Sequence, residues 1–150
     1  MNTTYYNIGE VSKMVDLPIS TLHYYDREGL FPNLNRSKSG VRKFDDSAVE
    51  SLRLIECLKK TGMEIKDIKE FIIWCQQGPS TYKKRREMFN KQRENVETEI
   101  EHLNQVLDMI KFKCWYYDTA IADGNEDRLK NLKLEDMPED VRKAWENAHR

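Results

Sequence analysis

The chain has 150 residues, enough for one small domain plus an extension and too few for two full domains. Hydrophobic residues make up 39% and charged residues 34%, with four Pro, six Gly and a net charge of −1, a balance that favours a helical soluble protein over a β-rich or disordered one. No apolar run approaches the ~20 residues of a membrane span, the opening MNTTYYNIGE lacks the basic-then-apolar pattern of a secretory signal, and the widely spaced Cys57, Cys75 and Cys114 read as cytosolic thiols, so a cytoplasmic location without membrane contact is expected.

At the N-terminus, Asn7 precedes Glu10 by three residues, and Ile8, Val11, Met14 and Val15 form an apolar stripe. This predicts a short helix opened by a capping box, in which Asn7 and Glu10 satisfy each other's free amides. Asp16-Leu17-Pro18 interrupts it. A second helix is expected over Ile19 to Glu28, stopped by Gly29. Two short helices joined by a tight turn make a helix-turn-helix candidate.

From Pro32 to Phe44 helical periodicity is lost, and Ser37-Lys38-Ser39-Gly40 forms a turn between pieces able to pair as a hairpin. Between Gly29 and Phe44 there is no acid, while Arg36, Lys38, Arg42 and Lys43 are all present. The hairpin is therefore expected to carry its bases outward as a wing. The last 33 residues, from Asp118, hold nine acids against six bases, so the near-zero net charge conceals a basic front and an acidic rear.

Asp45 is placed to cap a third helix, with Phe44 and Val49 as a hydrophobic staple across the cap, running to about Thr61 before Gly62. A fourth helix, about Ile65 to Cys75, carries Ile65, Ile68, Phe71 and Ile72 on one face and ends before Gly78-Pro79. From Thr81 to Tyr117 no Gly or Pro intervenes. Phe89, Val96, Leu103, Ile110 and Tyr117 fall on one heptad position and Arg93, Ile100, Leu107 and Cys114 on the other, which fits a coiled coil. Such a helix would be about 55 Å long, too long to bury its seam against the small domain before it. A second copy of the chain is the simplest partner. Asp118 to Asp127, with Gly124, is expected to turn, and Pro138 to start a last short helix containing Val141 and Trp145.

The runs IGEVSKMV, TLHYYDREGLFP and RSKSGVRKF, in this order over about residues 5–75 and followed by a long helix, resemble the signature of the MerR family of transcription regulators. The resemblance implies a mainly α fold: a winged helix-turn-helix domain over residues 1–77 with a small β-hairpin wing, a long antiparallel coiled-coil dimerisation helix over 81–117, and a short helical tail over 118–150. It also implies a homodimer that binds a dyad in an over-long promoter spacer and bends and untwists it so that RNA polymerase engages both promoter elements. Two positions depart from the family pattern: His23 stands where Arg is common, and Pro18 where a Ser cap is frequent.

The residues support the same reading. A helix-turn-helix leads its second helix into the major groove by its N-terminal turn, which here offers Ser20 and Thr21, with His23 and Tyr24 behind them. Tyr25 and Leu22 are expected to pack inward. Arg36, Lys38, Arg42 and Lys43 on the wing would grip the flanking phosphates of double-stranded promoter DNA.

Cys57 falls away from the Ala48-Leu52-Ile55 face of its helix, with Arg53 four residues before and Lys60 three after, and positive neighbours favour the reactive thiolate. Its context, SLRLIECLKKTGM, resembles a MerR subgroup that responds to aldehydes, other carbon electrophiles or thiol stress through one cysteine. An ordinary half-buried cysteine is the alternative. Phe112, Trp115, Tyr116 and Tyr117, with Trp145, read either as packing for the tail or as a pocket for a drug-like effector. A metal site is not expected, since Cys114 stands alone at the helix end, although pairing with its counterpart across a dimer seam stays open. No Gly-rich phosphate loop, HExxH or nucleophile–base pair is present, so neither an enzyme nor a cofactor is expected. A coiled-coil adaptor would leave the acid-free basic segment without a purpose.

Overall fold

The computed structural model describes residues 3–32, 34–36 and 41–150, with Asn35 and Arg36 defined through their backbone. The expected turn Ser37–Gly40, and Lys38 with it, lies outside the described residues. Two compact units divide the chain, residues 1–92 and 93–150.

In the first unit, α1 (Ile8–Val15) and α2 (Ile19–Arg27) precede a two-stranded antiparallel pair, β1 (Asn35–Arg36) and β2 (Arg42–Lys43), and then α3 (Asp46–Lys60) and α4 (Ile65–Gln77) follow. The start of α1 follows its sequence in part. The Asn7 side chain accepts the Glu10 amide at 2.8 Å, but the Glu10 carboxylate takes the Asn7 side-chain amide at 2.9 Å and not its backbone N–H, so the box closes side chain to side chain. Asp16 ends the helix in the left-handed region, at φ 55°, and the Ser12 hydroxyl donates to the Leu17 carbonyl to tighten the turn. Pro18 occupies the N-cap of α2 itself instead of its first helical position.

Asp45 caps α3 by accepting the Ala48 amide at 2.8 Å. Phe44 and Val49, the two ends of the expected staple, are both buried. Along α3, Val49, Leu52, Ile55 and Leu58 recur every third residue and sink into one core with Val11, Leu22, Tyr25, Leu30, Phe31, Phe44 and Ile68. The root of the wing is held by an isolated bridge: Tyr6 donates its amide to the Phe44 carbonyl at 2.7 Å and accepts the Phe44 amide at 3.0 Å.

A polar clamp seats α2 on α3. The Tyr25 ring is buried, and its hydroxyl donates to Glu56 at 2.6 Å while accepting from Lys59 at 2.7 Å. Burial, then the hydrogen bond to the Glu56 carboxylate, push the Tyr25 phenol above its ordinary value.

The corner after α4 is built by Gly78, at φ 82°, and a single 3-10 turn over Gly78–Thr81. The buried Thr81 hydroxyl lies 2.6 Å from the Trp74 carbonyl, and Arg85 donates to the Thr81 hydroxyl at 2.9 Å and to the Gly78 carbonyl at 2.7 Å. From that corner rises α5 (Tyr82–Asp123), an unbroken 42-residue helix. It ends six residues beyond the expected Tyr117, because Asp118-Thr119-Ala120-Ile121-Ala122-Asp123 holds no residue that breaks a helix and the stop comes only at Gly124, at φ 80°. Near its start Phe89 packs edge-on against Phe71, with centroids 5.3 Å apart, so this first seam residue is partly engaged within its own chain.

In the second unit, the remainder of α5 is followed by α6 (Asp127–Lys130) and α7 (Glu139–Ala148), which bury Leu129, Val141 and Ala144. Asn147 of α7 donates to Asp108 at 2.5 Å, and Arg128 pairs with Asp123 at 2.9 Å across the Gly124 turn. Trp145 stacks on His149, with centroids 4.0 Å apart. None of the described helices is long and apolar enough to cross a membrane.

Replacing Tyr25 by Phe removes the clamp without opening a cavity and should lower stability by about 1–3 kcal/mol. Because the folded pKa of Tyr25 is raised, its contribution is fully present below the ordinary tyrosine value of 10.0 and is lost as pH rises above it, the unfolded chain ionising first. Urea titrations at neutral and at alkaline pH should therefore show the gap between wild type and Tyr25→Phe narrowing on the alkaline side.

Candidate nucleic-acid interface

Helix α2 divides its residues between two environments. Leu22 and Tyr25 are buried in the core, as the sequence predicts, whereas Ser20 and Tyr24 are exposed and Thr21 and His23 half-buried. Spacings of three and four residues bring Ser20, Thr21, His23 and Tyr24 to one outer surface of a single helix. Tyr24 is 41% exposed, with its ring 6.0 Å from that of Tyr25, so its phenol is available to a ligand. The first turn of α2 has no side-chain cap, and its free amides sit at the positive end of the helix dipole.

The wing forms as a hairpin, with Asn35 opposite Lys43 and Arg36 opposite Arg42 in register. Its cations do not behave alike. Lys43 is exposed, with its ammonium 5.7 Å from the centre of the Tyr5 ring. Arg42 turns back to α2, its Nε donating to Asp26 Oδ2 at 2.5 Å, which corrects the expectation that all the wing's bases point outward. Asp26 was not anticipated as part of the site. The available signal was an acid in the last turn of α2, where the dipole disfavours it.

Cys57 is exposed on α3, as its angular position predicts. Of the two expected basic neighbours, Arg53 is drawn to Glu50, 3.6 Å away. Cys57 also directly follows Glu56, a member of the Tyr25 clamp. A cavity of about 330 Å³ opens between α3, α4 and the stretch after α2, with Phe31, Leu54, Phe71, Ile72 and Cys75 among its lining. It joins residues far apart in sequence and left no local pattern to read. The ring cluster at the end of α5 is real, Phe112 lying 6.1 Å from both Trp115 and Tyr116. Trp145, by contrast, takes His149 as its stacking partner. Among the described residues no group of three His, Cys, Asp or Glu is arranged to hold a metal ion.

Comparison with known proteins agrees with this architecture. The sequence profile of the MerR HTH family regulatory proteins matches residues 6–72, and a profile for MerR DNA binding matches residues 49–111. An uncharacterized HTH-type transcriptional regulator of Haemophilus influenzae is 36% identical over 134 residues, spanning 89% of this chain and 97% of that protein. The fold is similar to that of HiNmlR, a MerR family regulator lacking the sensor domain and solved bound to promoter DNA, with a TM-score of 0.73 and 36% identity over 81% of this chain and 97% of that one. It is also similar to a MerR family transcriptional regulator from Bacillus thuringiensis, with a TM-score of 0.67 and 43% identity over 74% of this chain and 97% of that one. The chain matches these proteins across most of its length, and it belongs to the MerR family of DNA-binding transcriptional regulators and is not an enzyme.

Proposed function

We propose that two copies of this chain join through α5 and bind a dyad within an over-long promoter spacer, bending and untwisting it to align the promoter elements for RNA polymerase. The observation that carries the dimer is the apolar seam of α5. Val96, Ile100, Leu103, Leu107 and Ile110 are all exposed in the single chain, Leu103 at 58% and Ile110 at 54%. A heptad seam of this kind is covered by a partner helix, and a twofold pair of reading heads matches a palindromic site. The promoter-DNA complex of HiNmlR supports the choice of ligand.

Within each head, Ser20 and Thr21 at the start of α2 meet base edges and phosphates, while His23 and Tyr24 reach the adjoining backbone. The wing follows the flanking phosphates through Lys43, Arg36 and Lys38, while Arg42 faces Asp26. We further infer that Cys57 senses carbon electrophiles or thiol stress. Its exposure admits a reagent, and its neighbour Glu56 holds Tyr25, so a change at this thiol is transmitted to the seat of the reading helix.

Three measurements test these assignments. Sedimentation at micromolar concentration should give a dimer, and Leu103→Lys, which buries a charge in the seam, should give monomers that no longer prefer a dyad-containing duplex to random DNA. Lys43→Ala should weaken binding to dyad and random DNA alike and reduce the slope of log affinity against log salt by about two, one phosphate contact per protomer. Cys57→Ser should bind the promoter normally yet lose transcriptional induction by an added aldehyde, and a full response in that variant would remove Cys57 from the pathway.

A further inference from the structure

We propose that Arg42 and Asp26 are a positioning pair: their ion pair locks the wing to the reading helix and so sets the angle at which the two meet DNA. This deepens the DNA-binding reading of α2 and the wing, and depends on it.

Three observations carry it. The contact is close and sheltered, Arg42 Nε standing 2.5 Å from Asp26 Oδ2 with the two side chains 26% and 9% exposed. The acid is also in an unfavourable place on two counts. It lies in the last turn of α2, at the negative end of the helix dipole, and it is carried by the helix that must approach a polyanion. An acid so placed gains nothing from the helix dipole and repels the ligand, and the sheltered contact with Arg42 offsets both effects. Finally, β1 and β2 are two residues each, and a hairpin of that size does not hold its own direction. The Tyr6–Phe44 bridge lies at its root. Arg42, at the start of β2, ties the strand to a helix sixteen residues earlier in the chain.

The pair therefore converts two weakly connected DNA-contacting elements into one rigid surface. Rigidity of this kind favours the duplex whose grooves match that surface and gives little advantage on random sequence, where charge alone holds the protein.

The test uses the full chain, a dyad-containing promoter duplex and a scrambled duplex of equal length, with fluorescence anisotropy over a range of salt. If charge alone mattered, Asp26→Asn would bind both duplexes more tightly, having lost a negative group. Positioning predicts the opposite for the dyad: roughly tenfold weaker binding, with affinity for scrambled DNA unchanged or higher. Arg42→Gln should reproduce the loss of dyad preference without a change in salt slope, and the double variant should be no worse than either single one. Tighter or unchanged dyad binding by Asp26→Asn, additive losses in the double variant, or a slope reduced by about two in Arg42→Gln would each overturn the proposal. So would a lowered melting temperature accompanied by an unaltered preference of the folded protein for the dyad, which is the signature of a purely stabilising pair. Failure of the wild-type chain to prefer the dyad would overturn the dyad reading itself.

Discussion

The seating of α2 on α3 governs everything the N-terminal unit presents to a ligand. Leu22 and Tyr25 are driven inward by the gain from burying apolar surface, and because they are three residues apart on a helix they settle which surface remains outside. The Tyr25 hydroxyl would be costly to bury alone, and Glu56 and Lys59 supply an acceptor and a donor for it. The apolar contact thus selects the face, and the two polar contacts select the rotation and depth. Ser20, Thr21, His23 and Tyr24 inherit their outward direction from the buried residues between and behind them.

A second constraint comes from α5. A helix of 42 residues with an apolar seam has more surface to cover than the described parts of one chain provide, and the seam stays open from Val96 to Ile110. At the start of the helix Met88 packs against the first unit's core, and the first seam residue, Phe89, packs against Phe71. The corner built by Thr81, Arg85 and Gly78 connects this helix to α4 through hydrogen bonds of the Thr81 hydroxyl and the Arg85 guanidinium.

Local chemistry was legible wherever one residue acts on its near neighbours. The Asn7 and Asp45 caps, the Phe44–Val49 staple, the stops at Gly29 and Gly62 and the outward position of Cys57 follow from propensity, hydrogen-bond capacity and the 100° helical step. The end of α5 lies beyond the position its composition suggests, because an acidic, small-residue stretch resembles a loop although it contains nothing to stop a helix that is already propagating. The outward direction assigned to Arg42 failed for another reason. Charge counting treats the wing's bases as equivalent, and nothing within the hairpin marks one of them as the partner of a helix earlier in the chain.

The sequence by itself determined the order of the helices, the division of α2 into an inner and an outer face, the basic character of the wing segment and the family, since each depends on spacing within a few residues or on motifs in fixed order. Only the tertiary structure decided that Tyr25 is clamped by Glu56 and Lys59, that Arg42 answers Asp26, and that a cavity opens beside Cys75. These contacts join residues sixteen or more positions apart, or several elements at once, and they exist only after burial of the core has drawn those elements together.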